Sequence, residues 1–487
     1  MTTTAVPLEP IFDALARAGL LVSRPAAPPA VERLTTDSRA AAPGVFFLAV
    51  PGSRDDGHAF VPDAVARGAV LVLVERHVTN LVPEVVVRDA RRAAIVTARA
   101  WYADPTSRMM LVGITGTNGK TTTTALVRHL LNRQGDVGSI GTLGAFDGRD
   151  AEVASTAGSL TTPGPVDLQA TFAALGASGV TRVAMETSSH SLDQGRLDGL
   201  VFGAGVFTNL TRDHLDYHLT MEAYLAAKLR LLDLIAPGGV VAVNLDDRAW
   251  DVIGAGPGRV TFGLHPDADV RGEDLLLAAQ GTRFRIAGRY GRRQIELPLP
   301  GDFNVANALA AAACALGLGL RLDEVADRLA SAPQVPGRME RLATRPCVVL
   351  RDYAHTPDAL ERALSTLRPL TSGRLIVVFG CGGDRDRGKR PLMGRLAANL
   401  ADLAIVTSDN PRTEDPERII DDVVAGMSGG SVERVADRRE AMARALEIGR
   451  EGDTVLLAGK GHETYQVIGT TRLPFDEGEI VRGMLGR

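Results

Sequence analysis

The stretch GITGTNGKTTTTALVRHLL (residues 113–131) joins an apolar, strand-like run to a helix-length segment through two closely spaced glycines. Gly116 and Gly119 are separated by only two residues, whereas the common GxxxxGK[ST] phosphate loop would need a glycine where Ile114 stands. Glycine at both positions lets backbone N–H groups approach phosphate oxygens at the positive end of the following helix dipole. The stretch therefore predicts a shortened nucleotide-phosphate loop between a strand and a helix.

Two side chains at the start of that helix have the chemistry that a nucleotide site needs. Lys120 can neutralise the outer phosphates, and the Thr121 hydroxyl can ligate Mg²⁺. The alternative is an ordinary glycine turn before a helix that begins near Lys120 and ends near Asn132. The strand–loop–helix context favours nucleotide binding over that alternative.

Bulk composition narrows the classes of protein to which this chain can belong. Its 487 residues are 45% hydrophobic and 23% charged, with a net charge of −4, which fits a globular protein without an electrostatic grip on nucleic acid or membrane. The three cysteines have no CxxC spacing, and neither a secretory leader nor a bilayer-length apolar run is visible. We expect a soluble, cytoplasmic protein whose phosphate binding comes from a local site.

The alternation of β-branched runs with alanine- and leucine-rich segments is typical of an α/β protein, and the length favours roughly three domains. Asp104-Pro105 breaks the chain after a small first unit, and Pro336-Gly337 is a plausible hinge. We predict an N-terminal domain over 1–108, a central domain over 109–337 and a C-terminal Rossmann-like domain over 338–487. The strands predicted in the last two domains are 109–115, 180–185, 203–208, 238–244, 374–380, 403–409 and 453–459.

Polar segments follow these strands, at the strand ends where open parallel sheets bind ligands. In the central domain they are TGTNGKT, ETSSHSLDQGR and TNLTRDHLDYH, and in the C-terminal domain GCGGDRDRGKR, DNPR and GKGHE. Six such clusters in two domains predict an enzyme that closes the two domains over its substrates.

Glu186, His214 and Lys228 are candidate residues for metal and phosphate chemistry. Taken singly, a lone histidine is more often structural, and a lysine on a helix is usually solvated. Two Mg²⁺ ions serving an ATP γ-phosphate would need oxygen and imidazole ligands, and this shared context favours a functional role. The buried face of the helix that carries Lys228 is expected at Leu225, Leu229 and Leu232.

The C-terminal domain combines arginines with acids. Arg385 and Arg412 can form bidentate pairs with a carboxylate, and Glu463 can hold an ammonium group. Such a combination suits a zwitterionic amino acid, whereas the alternative is a surface network of ion pairs.

Together these segments resemble the Mur ligase family, most closely its MurE type. The resemblance implies the three-domain Mur ligase architecture, with a UDP-binding N-terminal domain and a central P-loop-type, mostly parallel sheet. It also implies an ATP-dependent amide ligase of peptidoglycan precursor synthesis, which activates the D-Glu carboxylate of UDP-MurNAc-L-Ala-D-Glu as an acyl phosphate for attack by an amine. The stretches that carry it run from residue 35 to 466, in family order: TTDSR, GITGTNGKTTT, TTPGPVDLQ, METSSHSLDQGR, FTNLTRDHLDYH, YLAAKLRLL, GDFNVANALAA, PGRME, DYAHTPDAL, FGCGGDRDRGKRPLMG, SDNPRTEDP and GKGHETYQ.

The resemblance implies roles for the residues of the nucleotide site. Thr121 and Glu186 would hold one Mg²⁺, and His214 would hold a second together with Lys228, converted by CO₂ to a carbamate. The catalytic residues would be Lys120, Glu186, His214 and Lys228. ATP would be bound by Gly116, Thr117, Asn118, Gly119, Lys120, Thr121 and Thr122, by Asn304 at the adenine, and by Arg338 from the hinge.

The resemblance also implies how the UDP-linked substrate is held. The family often has asparagine where Leu160 stands, and its VDYAHTP motif has Arg351 as first residue here. Asp352 and His355 of that motif would lie near the nucleotide. The UDP-MurNAc-dipeptide would be bound by Thr36, Ser38, Ser53, Arg54, Asp55, Thr161, Thr162, Ser188, Gln194 and Arg196.

The incoming amino acid is predicted from DNPR (409–412), which resembles the signature of enzymes that add meso-diaminopimelate. Diaminopimelate differs from lysine by a second carboxylate, and Arg412 is its natural partner. L-Lysine is the alternative substrate. The diaminopimelate pocket would comprise Arg385, Asp409, Asn410, Pro411, Arg412, Gly459 and Glu463.

Three further readings compete with this one. One is a protein whose glycine loops bind nucleotide only structurally, and Glu186, His214 and Lys228 together argue against it. A folylpolyglutamate synthetase-like ligase would share the central and C-terminal plan but lack the N-terminal TTDSR unit. A nucleotide-binding switch that makes no bond would have no need of DNPR and GKGHE. We expect a monomeric enzyme without nucleic-acid or membrane partners.

Overall fold

The computed structural model describes residues 6–52, 55–78, 80–153 and 160–486. The chain divides into two compact units, Met1–Val260 and Thr261–Arg487. Both are α/β with mostly parallel sheets, which confirms the predicted fold class. The domain boundaries at 108 and 337 stay predictions. Short 3₁₀ turns lie at Ser38–Ala40, Gly57–Phe60, Pro105–Arg108, Arg248–Val252 and Arg368–Leu370.

The first unit begins with a small sheet in the strand order β1-β5-β4-β3-β2. Its central strands, VFFL and AVLVLV, are almost wholly buried, because helices cover a parallel sheet on both faces. The elements in chain order are α1 (Glu9–Arg17), β1 (Leu21–Ser23), β2 (Arg33–Thr35), β3 (Val45–Leu48), α2 (Val61–Ala66), β4 (Ala69–Val74), β5 (Glu84–Val87) and α3 (Ala90–Trp101).

The rest of the first unit is built on a second sheet. Its strands agree with the predicted strands, and a helix begins after the glycine loop, as predicted. Its elements are β6 (Met110–Thr115), α4 (Lys120–Leu131), β7 (Val137–Gly141), β8 (Gly144–Phe146), α5 (Pro165–Ala177), β9 (Arg182–Glu186), α6 (Ser189–Asp193), β10 (Phe202–Phe207), α7 (Leu215–His218), α8 (Met221–Asp233), β11 (Ile235–Asn244) and β12 (Arg259–Gly263). The strand order is β12-β11-β10-β6-β9-β7-β8; the pairs from β11 to β7 are parallel, and the β7–β8 pair is antiparallel.

Strand register brings the functional loops of this sheet to one edge. Ile114 on β6 is paired with Glu186 on β9, and Thr115 is paired with Phe207 on β10. The three strands therefore end side by side, and the loops that follow them meet, as the sequence predicts.

The buried face predicted for α8 is wrong by about one residue. Leu225, Leu229 and Leu232 are only partly buried. Lys228 and Tyr224 are among the fully buried positions instead, since α8 turns this face toward the loop after β6. The helix thus buries Lys228 together with Leu231, and leaves the three predicted leucines at the margin.

The described part of the second unit contains three strands paired antiparallel, seven helices, and a six-stranded sheet with a terminal hairpin. Its elements are β13 (Val270–Ala278), β14 (Gly281–Gly288), β15 (Arg293–Leu297), α9 (Asp302–Gly317), α10 (Leu322–Ala330), β16 (Glu340–Ala343), β17 (Val348–Asp352), α11 (Pro357–Leu367), β18 (Leu375–Phe379), α12 (Lys389–Leu400), β19 (Leu403–Val406), α13 (Pro416–Val424), β20 (Ser431–Arg434), α14 (Arg438–Ile448), β21 (Thr454–Ala458), β22 (Tyr465–Ile468), β23 (Thr471–Pro474) and α15 (Glu477–Met484). The six-stranded sheet has the order β16-β17-β21-β18-β19-β20, parallel except at β16–β17.

In the sheet order, β21 lies between β17 and β18, although it comes after both in the chain. The polar segments of the C-terminal domain follow β18, β19 and β21, and therefore lie together at one edge. All three cysteines are described, and each is a buried free thiol. In the described part of the chain, no helix is both long and apolar enough to cross a membrane.

Candidate active site

The loop between β6 and α4 requires glycine at position 116 and favours it at position 119. Gly116 has φ +146°, and a Cβ atom there would lie 1.9 Å from Thr208 Oγ1. Gly119 has φ +81° and is the N-cap of α4, so that the first N–H groups of the helix face the loop. The predicted shortened phosphate loop thus has the backbone shape that its glycines suggested.

The loop after β10 braces the phosphate loop. The Thr117 N–H donates to Asn209 O (2.7 Å), and the Asn118 N–H donates to Asn209 Oδ1 (2.9 Å). In return, Thr208 Oγ1 donates to Asn118 O at 2.8 Å. These bonds fix the conformation of the loop independently of any ligand, and Thr121 and Thr122 lie buried behind it at the start of α4.

Two lysines converge on the same carbonyl of the loop. Lys120 Nζ donates to Gly116 O (3.0 Å) and Thr117 O (2.8 Å), and Lys228 Nζ donates to Gly116 O at 2.7 Å. Lys228 is 1% exposed and lies 4.4 Å from the centre of the Tyr224 ring. Burial, reinforced by the Lys120 charge, holds the pKa of Lys228 well below its usual value. The lowered pKa favours the neutral amine form of Lys228, and the side chain is buried rather than solvated.

Glu186 ends β9 as a buried carboxylate beside the phosphate loop. Its Oε1 accepts from the Thr142 N–H (2.8 Å), and its Oε2 accepts from Thr142 Oγ1 (3.2 Å). A Cβ atom at Gly141 would lie 2.4 Å from Oε1, so the close approach requires glycine. Sequence reasoning missed Thr142, and its position two residues before a small strand gave no signal.

His214 has a left-handed backbone (φ +53°) at the start of α7. Its Nε2 lies 3.6 Å from Asp213 Oδ2, and its ring meets His190 edge-on at 4.8 Å. Burial lowers the pKa of His214, which favours the neutral imidazole that can ligate a metal.

The donor set predicted for magnesium has the appropriate chemistry. Across residues 6–52, 55–78, 80–153 and 160–486, no group of three or more His, Cys, Asp and Glu side chains is placed to hold a metal ion. The predicted ligands include only two residues of those types, Glu186 and His214, beside the hydroxyl of Thr121. A carbamate on Lys228 would add a further oxygen donor, and oxygen is what Mg²⁺ prefers.

Residues predicted to bind the UDP-linked substrate form one hydrogen-bonded cluster next to Glu186. Thr162 Oγ1 donates to Glu186 O (2.9 Å) and accepts from the Ser188 N–H (3.2 Å). Arg196 donates from Nη1 to Thr162 O (3.1 Å) and from Nε to Gln194 Oε1 (2.9 Å). Thr161 Oγ1 accepts a hydrogen bond from Thr142 Oγ1, which links it to the same cluster. Leu160, where the family often has asparagine, is exposed.

Arg91 on α3 is a residue of this region that sequence reasoning missed. It donates from Nη1 to Gln194 O (3.0 Å) and from Nη2 to Pro51 O (2.7 Å). It thereby ties the cluster to the segment that precedes Ser53 and Arg54, two predicted substrate residues that lie outside the described residues. Nothing in the sequence distinguishes Arg91 from the arginine next to it.

The N-terminal residues predicted for the same substrate are accessible. Thr36 is exposed, Ser38 begins a 3₁₀ turn, and Asp55 accepts the Gly52 N–H through its carbonyl oxygen at 2.8 Å. Their roles stay predictions.

In the second unit, the predicted adenine contact is already engaged. Asn304 is 1% exposed, donates from Nδ2 to Pro300 O (2.8 Å) and accepts from Asn307 Nδ2 (3.1 Å). Arg338 lies with its guanidinium 5.3 Å from the centre of the Tyr353 ring. These contacts fix the start of α9 and the hinge segment, and the nucleotide roles stay predictions.

The motif RDYAH is anchored mainly by buried polar contacts. Arg351, the departure from the family pattern, donates from Nη2 to Glu340 Oε2 (2.7 Å) in the PGRME segment. Asp352 accepts from the Met339 N–H (2.8 Å), and burial raises the pKa of this carboxyl group. His355 is hydrogen bonded through Nδ1 to Tyr353 O (2.8 Å). The arginine is thus compensated by an acid of the neighbouring strand.

The predicted amino-acid residues follow β18, β19 and β21. Arg412 has φ +53° and donates from Nη1 to Gly383 O at 2.7 Å. Asp409 and Asn410 are buried, Gly459 has φ +114°, and Arg385 is exposed. The cluster combines arginine side chains with buried acceptors, and its role in binding a zwitterion stays a prediction.

Lys460, between the two glycines of GKGHE, completes this cluster and was missed by sequence reasoning. It is 0% exposed and donates to Tyr465 O (2.8 Å) and Asn410 Oδ1 (3.1 Å). Asn410 Nδ2 in turn donates to Glu463 Oε2 at 2.9 Å. A lysine in a strand-end glycine loop was the available signal.

Three family models match the chain. A Mur ligase family catalytic domain matches residues 30–108, a Mur ligase middle domain matches 114–315, and a Mur ligase glutamate ligase domain matches 337–461.

Whole proteins resemble the chain over its full length. A protein of Gloeobacter violaceus named UDP-N-acetylmuramoyl-L-alanyl-D-glutamate--2,6-diaminopimelate ligase is 44% identical over 99% of this chain and 99% of its own. A solved structure of a ligase with the same name has a TM-score of 0.68 at 35% identity over 99% of both chains. A folylpolyglutamate synthase of Mycobacterium tuberculosis complexed with ADP shares the fold, with a TM-score of 0.61 at 20% identity over 75% of this chain and 91% of its own.

Proposed function

Because this chain belongs to the Mur ligase family, we propose that it is an ATP-dependent ligase that joins meso-diaminopimelate to the D-Glu carboxylate of UDP-MurNAc-L-Ala-D-Glu. The full-length match at 44% identity to a relative named for this reaction carries the proposal. The folylpolyglutamate synthase corresponds to only 75% of this chain, which disfavours the alternative ligase. The reaction serves peptidoglycan precursor synthesis, and we infer that a cytoplasmic monomer performs it.

The first step makes a poor electrophile reactive. An oxygen of the D-Glu carboxylate attacks the γ-phosphorus of ATP, and the bond from that phosphorus to the oxygen it shares with the β-phosphate breaks. ADP departs, and the carboxylate has become an acyl phosphate. The N–H groups at the start of α4 and the Lys120 ammonium stabilise negative charge on the phosphoryl group in flight. Lys120 is held at the Gly116 and Thr117 carbonyls, so its charge is already positioned within the loop.

The second step forms the amide. The amine of diaminopimelate attacks the acyl carbon, a tetrahedral intermediate forms, and inorganic phosphate leaves as the nitrogen loses its proton. Water would hydrolyse the acyl phosphate, so the site has to exclude it during this step. Glu463 would accept a hydrogen bond from a substrate ammonium group, and Asn410 and Arg412 would donate to its carboxylates.

Magnesium would be held by Thr121, Glu186 and His214, with a carbamate on Lys228 as a further ligand. When bound, the metal ions neutralise the phosphate charges between which the phosphoryl group moves. The Lys228 amine, whose pKa burial lowers, would add CO₂ with loss of a proton, and the charge of the neighbouring Lys120 would stabilise the resulting carbamate anion.

The choice between diaminopimelate and L-lysine tests the proposal. Wild-type protein is incubated with ATP, UDP-MurNAc-L-Ala-D-Glu and either amino acid, and the tripeptide product is followed by mass spectrometry. Diaminopimelate should be the substrate, and Arg412→Ala should raise its KM sharply while leaving the KM of ATP unchanged. Turnover with lysine alone would refute the assignment, and an unchanged KM in Arg412→Ala would remove Arg412 as the anchor of the second carboxylate.

A further inference from the structure

Lys460 is the most deeply buried basic side chain of the amino-acid cluster. Its side chain is 0% exposed, and its ammonium lies 3.4 Å from Asp409 Oδ1 and 3.6 Å from Glu463 Oε2. Burying a charged group costs free energy unless the group is paired and hydrogen bonded. The partners of Lys460 therefore indicate what the residue does.

The first consequence of Lys460 is that the Asn410 amide has one orientation. Two donors, Lys460 Nζ (3.1 Å) and the Val467 N–H (2.9 Å), converge on Asn410 Oδ1. The Nδ2 group must therefore point the other way, where it donates to Glu463 Oε2 at 2.9 Å. With both lone pairs of its oxygen occupied, Asn410 can only donate to a ligand, and Glu463 can only accept.

The second consequence concerns charge. Lys460 lies between two carboxylates, Asp409 and Glu463, and offsets one of their two negative charges. Without it, two like charges would share a mostly buried site, which disfavours the ionised form of at least one. Among the described residues, Asp409 Oδ1 has no hydrogen-bond partner, so its nearest support is this ammonium.

The geometry points to Lys460 as a positioning residue that, on the basis of the proposed function, fixes the donor–acceptor pair Asn410–Glu463 for the diamino-acid substrate. Asn410 then presents an N–H to a substrate carboxylate, and Glu463 presents an oxygen to a substrate ammonium. A zwitterionic amino-acid end is recognised by such a pair, whichever side chain it carries. Lys460 thus acts on the substrate through its neighbours.

The test compares three variants by steady-state kinetics with each substrate varied in turn. Lys460→Met keeps the length of the side chain without its charge, and Lys460→Arg keeps the charge with a different head group. Arg374→Met is the matched control, because Arg374 pairs with Asp453 (Nη2 to Oδ2, 2.7 Å), just before the same strand β21 that Lys460 follows. Melting temperatures are recorded for all three.

Lys460→Met should raise the KM of the diamino acid by about thirtyfold or more, the effect of truncating one partner of a buried charge pair. The KM values of ATP and the UDP-linked substrate should stay within about twofold. Lys460→Arg should show a smaller increase confined to the same substrate. Arg374→Met should lower the melting temperature and leave all three KM values unchanged.

A diamino-acid KM in Lys460→Met equal to that of the wild type would overturn the inference, as would a parallel rise of all three KM values. If Lys460→Met does not fold, Lys460→Arg decides by the same criterion. Wild-type protein that makes no tripeptide with either diamino acid would overturn the proposed function and this inference together. A working wild type with an indifferent Lys460 would overturn the inference alone.

Discussion

Replacement of Gly116 by alanine tests the loop geometry most severely. The new Cβ atom would lie 1.9 Å from Thr208 Oγ1 and 3.0 Å from both the nitrogen and the oxygen of Asn209. Thr208 could rotate away only by giving up its bond to Asn118 O (2.8 Å), and φ +146° is itself unfavourable for alanine. Backbone strain of about 1–3 kcal/mol and a lost hydrogen bond of about 1 kcal/mol give a cost of about 2–4 kcal/mol.

A cost of that size, directed against the nucleotide-binding conformation, corresponds to a loss of about 30- to 1000-fold in kcat/KM for ATP. The assay is phosphate release with all substrates present and ATP varied. Gly179→Ala is the control, because Gly179 also has a positive φ (+86°) while its Cβ would meet nothing within 4 Å. Gly116→Ala with wild-type kcat/KM for ATP would refute the described loop as the ATP site.

Three further predictions concern the surroundings of the site. Arg351→Val should lower the free energy of unfolding by about 2–4 kcal/mol, because it removes the ion-pair partner of Glu340 and Asp476. Adding Glu340→Leu should recover part of that loss in denaturant titrations, since Glu340 also accepts the Gly337 N–H (2.8 Å); equal losses in both variants would contradict the pairing. Burial lowers the pKa of His462 from 6.5 to about 4, so the unfolded state binds more protons than the folded state between these pH values. The stability of the wild type should therefore fall more steeply than that of His462→Gln as the pH drops from 6.5 to 4. Parallel slopes would be evidence against a neutral imidazole held by burial. Arg91→Ala should raise the KM of the UDP-linked substrate about tenfold and leave that of ATP unchanged, because it loses two backbone carbonyl contacts at the substrate cluster; a change in the KM of ATP alone would show that Arg91 does not act there.

Much of the fold could be predicted from local patterns. The strands predicted over 109–115 and 203–208 form β6 (Met110–Thr115) and β10 (Phe202–Phe207), and the glycine loop predicted the start of α4 at Lys120. Both features depend on neighbours in the chain. The predicted domain boundaries depend on long-range packing and remain untested.

The parts of the site that could not be predicted depend on distant contacts. Lys228 is buried against the loop whose Gly116 carbonyl it contacts, and that carbonyl lies 112 residues away in the chain. The spacing of leucines along α8 therefore predicted the wrong buried face. Arg91 contacts Gln194 across 103 residues, and its sequence neighbourhood shows only two adjacent arginines. The GKGHE motif marked Lys460 as a candidate, but only its hydrogen bond to Asn410 indicates a role.

The central claim is that a nucleotide is consumed in order to make a carboxyl group reactive toward an amine. The direct test measures ATP consumption and inorganic phosphate release by the purified protein with both partner substrates, with each alone, and with neither. The account predicts rapid phosphate release only when UDP-MurNAc-L-Ala-D-Glu and diaminopimelate are both supplied, matched one to one by tripeptide. ATP consumption at the same rate without either partner would contradict it.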